Sequence, residues 1–220
     1  LAQAYAFRHP DRLDALVLDG AYPVAGENPW YPSLITTGIE GMDIACRRSP
    51  NCTGDAGERL ARAADYMRRN RMNVGKLIDA VAGGSYNPPQ SYVAVDRAIT
   101  KLLDGRPRAW RRLNLAETTG LADRYSYSYP AELVFSCNDY PMIWDRDAPE
   151  EERRIQLEQA IRDYDEDAFA PFTPREVALA ADVGYLECLT WPQPTDLREP
   201  PIRPDMDPTP APVLVVNGEL

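Results

Sequence analysis

The hydrophobic pattern differs between the two ends of the chain and its middle. Near each end, a short continuous apolar run stands between turn residues: Leu16 to Leu18, and Val213 to Val216. Such runs are typical of strands buried on both faces of a parallel sheet. Leu1 to Phe7 has helical character, and Pro10 cannot continue that helix. The pattern therefore predicts an α/β unit at the start and a second strand of the same sheet at the end.

The middle of the chain predicts helices. Apolar residues recur at helical spacing in two segments, which are Leu60, Ala63, Ala64 and Met67, and then Tyr92, Val95, Ile99, Leu102 and Leu103 before the terminating Gly105. A third helix begins at Pro149, carries three glutamates in its first turn, and is expected to bury Ile155, Ala160, Ile161 and Tyr164. A fourth begins with a capping box, with Thr173 as N-cap and Glu176 at N3.

These elements predict an α/β fold in three segments. Residues 1–26 form a core helix and strand, residues 27–204 form a large, mainly helical lid insertion, and residues 205–220 return to the sheet. The helix at Leu1 has no N-cap residue before it, and the last strand run stops just after its turn. We therefore expect the chain to be an internal piece of a longer protein.

Composition and charge limit the classes of protein to which this chain can belong. The 220 residues are 44% hydrophobic and 26% charged, which is enough apolar content to bury a core. The net charge of −10 argues against a nucleic-acid or anionic-membrane partner, because both require basic patches. No apolar run approaches the ~20 residues of a membrane span. Residues 139–187 hold fourteen acidic and five basic side chains; we interpret most of them as solvated surface, the alternative being a negative field that attracts a cationic substrate end.

The four cysteines allow three disulfide pairings. Cys46 and Cys52 are separated by a turn-rich stretch that can bring them together, whereas Cys137 and Cys188 are far apart in sequence. Zinc binding is a weak alternative, because there is no C-x-x-C pair and His9 is the sole histidine. Four reduced thiols are the other alternative. We favour the pairs Cys46–Cys52 and Cys137–Cys188, which indicate an exported protein, secreted or in the cell envelope.

Several motifs together resemble the tripeptidyl-aminopeptidase-like branch of the α/β-hydrolases, relatives of proline iminopeptidase. They are His9-Pro10-Asp11-Arg12-Leu13, Leu16 to Tyr22, Ser136-Cys137-Asn138-Asp139-Tyr140-Pro141, Cys188-Leu189-Thr190-Trp191-Pro192 and Val213 to Leu220. The resemblance implies a partial α/β-hydrolase fold with a lid. It also implies an acyl-enzyme mechanism that needs no cofactor or metal.

The resemblance places the catalytic triad outside these 220 residues. The nucleophilic serine of G-x-S-x-G precedes a helix like Leu1 to Phe7, the acid follows a strand like Val213 to Val216, and the histidine comes later. We assign no catalytic residue within the chain, and His9 is expected to have a capping or surface role. The 220 residues alone are predicted to be inactive.

The lid is the part expected to contact substrate. Asp139 is the first candidate to accept the protonated amine of a peptide, with Asn138 orienting it. An aspartate capping the turn before Pro141 is the structural alternative. Tyr140, Trp144 and Trp191 are candidates for the acyl pocket, although such aromatics are more often core.

We therefore expect the parent protein to be an exported serine hydrolase. An aminopeptidase that releases short N-terminal peptides is the leading hypothesis. A carboxylesterase or lipase-like enzyme on the same fold is the first alternative, since the lid selects substrate and the fold does not. A non-catalytic binding protein on the same scaffold is the second. The expected partner is a peptide or ester substrate, without nucleic acid, metal or a membrane span.

Overall fold

The structure is a computed structural model in which the chain divides into two compact units. It describes residues 2–21, 28–82, 89–119, 128–180, 185–193, 202 and 205–216. One unit combines Leu1–Asn28 with Pro194–Leu220, and the other comprises Pro29–Gln193. The chain as a whole is mostly helical, with one small parallel sheet.

The first unit contains a helix and a two-stranded parallel sheet. Helix α1 (Ala2–Arg8) ends where the amide of His9 donates to the carbonyl of Tyr5, and a 3₁₀ turn follows at Pro10–Arg12. Strand β1 (Leu16–Asp19) pairs in parallel with β2 (Val213–Val216), with Leu16 opposite Val213. The prediction that the two terminal apolar runs are strands of one parallel sheet is confirmed, and the structure shows in addition that they are direct neighbours.

The prediction that both faces of these strands are buried is wrong for the described residues. Val17 is 63% exposed, and the side chains of β2 are exposed along its whole length. A parallel sheet buries both faces only when other layers cover them, and the described part of this unit leaves these side chains open. The apolar composition of the strands therefore indicates that both faces of the sheet need to be covered by other elements.

The second unit is a helical domain. Its eight described helices are α2 (Pro32–Arg47), α3 (Ala56–Arg69), α4 (Gly75–Ala82), α5 (Gln90–Leu103), α6 (Arg108–Thr119), α7 (Tyr129–Asp139), α8 (Glu150–Asp163) and α9 (Pro174–Ala178). A 3₁₀ helix follows at Leu186–Thr190. None of the helices in the described part of the chain has both the length and the apolar character needed to cross a bilayer.

Helices α2 to α5 enclose the main core. Helix α5 packs against α2, α3 and α6, and α2 also packs against α4. The fully buried side chains include Ile35, Met42, Leu60, Met67, Leu77, Ile78, Tyr92, Ile99 and Leu102. The α2–α4 contact requires a glycine at position 38, because a Cβ there would lie 2.6 Å from the carbonyl oxygen of Val81. A side chain at this position would push the two helices apart.

The predicted helices of the middle segment are present, with one error in the buried face of α8. The apolar faces of α3 and α5 are buried as expected, and the Thr173–Glu176 capping box is formed. In α8, however, Ile155 is 60% exposed. The buried face of that helix is instead formed by Arg153, Leu157 and Ile161, which lie four residues apart on one side.

Both predicted disulfides are present, Cys46–Cys52 and Cys137–Cys188, with Cα–Cα separations of 5.2 Å and 5.1 Å. The first joins the end of α2 to the following turn. The second joins α7 to the 3₁₀ helix at Leu186–Thr190. Two disulfides are compatible with an extracytoplasmic location.

A half-buried ionic contact links α3 to the start of α9. Arg68 donates from Nε and Nη2 to the two carboxylate oxygens of Glu176, at 2.8 Å and 2.7 Å, and Nη2 also reaches the carbonyl of Pro171. Burial alone would raise the pKa of Glu176, but hydrogen bonds from Arg68 and Thr173 outweigh burial and hold that pKa below its usual range. The same carboxylate therefore completes the capping box and ties two helices together.

We predict that Glu176→Gln lowers the free energy of unfolding near neutral pH by about 1–2 kcal/mol. Because the folded-state pKa is depressed, the ionised carboxylate stabilises the fold above its unfolded pKa of about 4.3. This contribution is lost as the pH falls through the lower folded value. Urea unfolding at neutral and acidic pH should show that the difference in unfolding free energy between wild type and variant disappears in acid. Glu158→Gln, which breaks the exposed pair with Arg175, is the control and should change stability much less. A difference between wild type and Glu176→Gln that grows in acid would contradict the role given to the ionised Glu176.

We predict that removing the Cys137–Cys188 disulfide costs more stability than removing Cys46–Cys52. The two bridges span 51 and 6 residues, and the chain-entropy account gives about 4 and about 2 kcal/mol respectively. Paired Cys→Ser variants compared by urea unfolding provide the measurement. A larger loss from the shorter loop would show that chain entropy does not govern these bridges.

Candidate binding site

The C-terminal end of α7 brings together several of the residues singled out from the sequence. The helix begins at Ser128, whose hydroxyl accepts from the amide of Ala131, and it ends at Asp139, after which the chain becomes extended at Tyr140. Cys137, in its last turn, is bonded to Cys188. The two sequence-distant cysteine motifs therefore meet at one place.

Asn138 connects this helix end to Trp191. Its Nδ2 donates to the carbonyl of Val134 at 2.6 Å, and its Oδ1 accepts from Trp191 Nε1 at 3.3 Å. The side chain is thus held by groups on both sides of the Cys137–Cys188 bridge. In this position Asn138 fixes the backbone next to Asp139.

Arg146 caps the same helix end. Its guanidinium donates to the carbonyl oxygens of Asn138 and Tyr140. The last turn of α7 contains no basic residue of its own, so the cation that compensates the exposed carbonyls comes from the following loop.

Arg153 of α8 holds the surrounding loops together. It is 1% exposed, and its guanidinium donates only to backbone carbonyls: Ala148 at 2.7 Å, Arg146 at 2.8 Å, Leu189 at 3.1 Å, Trp191 at 2.6 Å and, at the longest distance of 3.4 Å, Cys188. It has no carboxylate partner among the described residues. A buried charge is tolerated when hydrogen bonds satisfy every donor, and here they join two separate segments.

Asp139 differs from these fixed neighbours. Its side chain is exposed, and no hydrogen bond or ion pair to it is found within the described residues. It stands at the C-terminus of a helix, where the dipole disfavours a negative charge. A carboxylate kept there without a partner is available to a cation from solution.

A row of four aromatic rings includes Tyr140, which follows Asp139 directly in the chain. Ring centroids are 5.5 Å apart for Phe135 and Tyr140, 5.7 Å for Tyr140 and Tyr185, and 6.3 Å for Tyr185 and Tyr31, all edge to face. Phe135 is 42% exposed and lies four residues before Asp139, on the same side of α7. We call these four residues the aromatic row.

Two members of the aromatic row have a strained backbone. Tyr31 and Tyr185 have φ angles of 45° and 42°, in the left-handed region that a bulky side chain rarely adopts. Such conformations cost on the order of 1–3 kcal/mol each and cluster at functional sites. In both cases the strained residue immediately precedes a helix, so the turn directs the ring into the row.

Trp144 is buried, as the core alternative for this residue predicts. It is 5% exposed, and its indole Nε1 has no hydrogen-bond partner in the described structure. Its ring therefore contributes to the core beneath the loop. The aromatic row joins the predicted Tyr140 to Phe135, Tyr31 and Tyr185, which the sequence did not single out because their proximity depends on the tertiary fold.

A separate cleft of about 360 Å³ lies between α8, the end of α9 and the 3₁₀ helix at Leu186–Thr190. Its described lining consists of Arg154, Leu157, Glu158, Leu179, Leu186 and Leu189. None of the five residues proposed to bind substrate contributes to that described lining. The cleft and the helix end at Asp139 are therefore distinct features.

One group of potential metal ligands occurs in the described structure, formed by Cys46, Cys52 and Asp96. The two sulfurs are bonded to each other, and Asp96 accepts a hydrogen bond from Arg59 Nε at 2.8 Å. These three groups are already engaged with other partners. Their arrangement is therefore that of a disulfide beside a buried ion pair.

Comparisons with protein-family models, curated proteins and solved structures give no match for this chain. The resemblance to the aminopeptidase-like α/β-hydrolases rests on the sequence motifs. Its functional consequences are therefore proposals.

We predict that Arg153→Met lowers the free energy of unfolding by about 2–4 kcal/mol, because it leaves several buried carbonyl oxygens without a donor. Arg154→Met is the matched control, since Arg154 is half exposed and pairs only with Glu150, and it should cost about 0–1 kcal/mol. Chemical denaturation measures both. Equal stability of the two variants would show that Arg153 does not organise these loops.

Proposed function

We propose that this chain is the substrate-recognition part of a serine hydrolase, and that Asp139 binds the protonated amino terminus of a peptide. The observation that carries the proposal is the exposed carboxylate at the end of α7, which has no partner among the described residues and whose surrounding backbone is held by the Cys137–Cys188 disulfide, Arg146 and Arg153. The serine, acid and histidine would be supplied by chain outside these 220 residues, as the sequence resemblance implies.

The chemistry of the site favours a peptide over an ester. A carboxylate gains a charge-assisted hydrogen bond from an ammonium group, whereas the acyl chain of an ester offers no charge for it to bind. In an exopeptidase such a contact positions the chain end, and so it determines which bond reaches the nucleophile. The aromatic row beside Asp139 supplies an apolar surface for the side chain that follows the amine.

Fixed geometry supports this role. Recognition of a chain end requires the carboxylate to stay in place while substrate binds. Cys137–Cys188, the Asn138–Trp191 hydrogen bond and the Arg146 cap restrain the backbone on both sides of Asp139. Less reorganisation is then needed when a ligand arrives, which favours binding.

We predict that the 220-residue chain binds a tripeptide with a free amino terminus, and that N-acetylation of the peptide weakens binding about 10- to 100-fold. Asp139→Asn should weaken binding of the free peptide by a similar factor, because the amide cannot pair with the ammonium charge. Binding should also fall as the pH rises through the amine pKa, near 8. Isothermal titration or NMR titration measures each case.

Glu151→Gln is the control, because Glu151 is another exposed carboxylate of the same unit without an ion pair in the described structure. It should leave the affinity unchanged. Equal affinity for free and acetylated peptides would reject Asp139 as the amine site. In the gene product that contains this chain, turnover of acyl esters without turnover of free-amine peptidyl arylamides would reject the peptidase, and absence of both activities would favour a binding protein.

A further inference from the structure

Positive charge is concentrated on the hairpin formed by α5 and α6. Between residues 97 and 112 there are six cationic side chains and one anionic side chain, in a chain whose net charge is −10. The six are Arg97, Lys101, Arg106, Arg108, Arg111 and Arg112, and we call them the cationic hairpin. Every residue of this segment is described.

Most of these cations have no counter-ion. All five arginines are exposed, and Lys101 is partly exposed. Arg106 pairs with Asp104, whereas no salt bridge is formed by the other five within the described structure. Some arginines elsewhere in this unit meet carboxylates, as Arg59 does with Asp96 and Arg175 with Glu158, whereas Arg62 and Arg69 of α3 also have no ion pair within the described residues. The cationic hairpin therefore retains its positive potential.

Helix geometry places these charges on the outer side of the hairpin. Arg97 and Lys101 are four residues apart, about 6 Å along the axis, as are Arg108 and Arg112. Tyr92, Val95, Ile99 and Leu102 turn the opposite side of α5 into the core, and Trp110 does the same for α6 at 2% exposure. The Asp104–Pro107 turn joins the two charged faces.

We propose that the cationic hairpin docks this protein on an anionic lipid surface. The proposal is independent of the proposed function, because it involves neither Asp139 nor the aromatic row. The negative average charge predicts no such partner, but exposed charges more than about 8–10 Å away are screened at physiological ionic strength. Binding to a membrane then depends on the electrostatic potential of the protein face that contacts it, and the potential of the cationic hairpin is positive.

The surface lacks the features that other polyanionic or protein partners require. No large apolar side chain between residues 97 and 112 is exposed. A protein interface needs desolvated aromatic or aliphatic anchors at its centre, and single-stranded nucleic acid needs exposed rings for stacking. A small anion needs a concave site. Binding to a charged lipid surface requires only clustered cations on an outer face. At low ionic strength each cation raises the partition coefficient roughly fivefold.

The test is co-sedimentation of the 220-residue chain with lipid vesicles. We expect binding to vesicles of equal parts phosphatidylglycerol and phosphatidylcholine at low ionic strength, no binding to pure phosphatidylcholine, and loss of binding in high salt. The triple variant Arg97→Gln, Arg108→Gln, Arg112→Gln should reduce the partition coefficient about 100-fold. Circular dichroism confirms that the variant is folded.

The matched control is Arg62→Gln, Arg69→Gln, Lys76→Gln. It removes the same net charge from α3 and α4 of the same unit, at side chains that also lack ion pairs in the described structure. It should retain most of the binding. Equal losses in the two variants, or no binding of wild type to the anionic vesicles, would overturn the proposal.

Two further probes separate the alternative partners. Duplex DNA and poly-glutamate are titrated under the same salt conditions. Weaker binding of both than of the anionic vesicles supports the lipid surface. Stronger binding of DNA would assign the hairpin to nucleic acid, and stronger binding of poly-glutamate would assign it to an acidic protein; either result would replace the proposal.

Discussion

The buried guanidinium of Arg153 is the interaction on which the candidate site depends. A cation in a protein interior is stable only when its donors are satisfied, and Arg153 satisfies them with backbone carbonyls from two separate segments. The guanidinium therefore ties the loop before α8 to the 3₁₀ helix at Leu186–Thr190 and the residue that follows it. Together with Cys137–Cys188 and Arg146, it makes the end of α7 a rigid place to present a side chain.

The charges of Asp139 and of the cationic hairpin differ from the paired charges elsewhere in the helical unit. Asp96, which is buried, and Glu176, which is half-buried, are both paired with an arginine, and each of these pairs links two helices. Asp139 and the cationic hairpin are exposed and, in the described structure, lack such compensation apart from Arg106. The two features have opposite sign, lie on different helices and call for different ligands, an ammonium group in one case and an anionic surface in the other. Salt screening weakens both.

Two residues with a strained backbone belong to the aromatic row, which also contains Tyr140, the residue after Asp139. Tyr31 and Tyr185 adopt left-handed conformations and both contribute rings to the aromatic row. Strain of this kind persists only where the surroundings determine it. Here the ring contacts and the helices that follow each tyrosine supply that constraint, so the row is a consequence of packing and not of local preference.

The sequence by itself determined the local elements and one long-range covalent contact. Periodicity located the helices at Leu60–Met67 and Tyr92–Leu103, the Thr173–Glu176 spacing predicted its capping box, and terminal apolar runs predicted a parallel strand pair, because these signals depend on near neighbours and on side-chain period. The turn-rich stretch between Cys46 and Cys52 favoured that pair, which left Cys137 to bond with Cys188, and both disulfides are present.

Only the tertiary structure decided what surrounds Asp139. The sequence predicted that most charges between residues 139 and 187 are solvated, but Arg153 is buried because backbone carbonyls replace its water, while Ile155 of the same helix is exposed. Tyr31 and Tyr185 are far from Tyr140 in the chain, and no periodic pattern connects them. Burial and cross-chain contacts depend on how the helices pack, and that information lies in the sum of many weak contacts and not in any single motif.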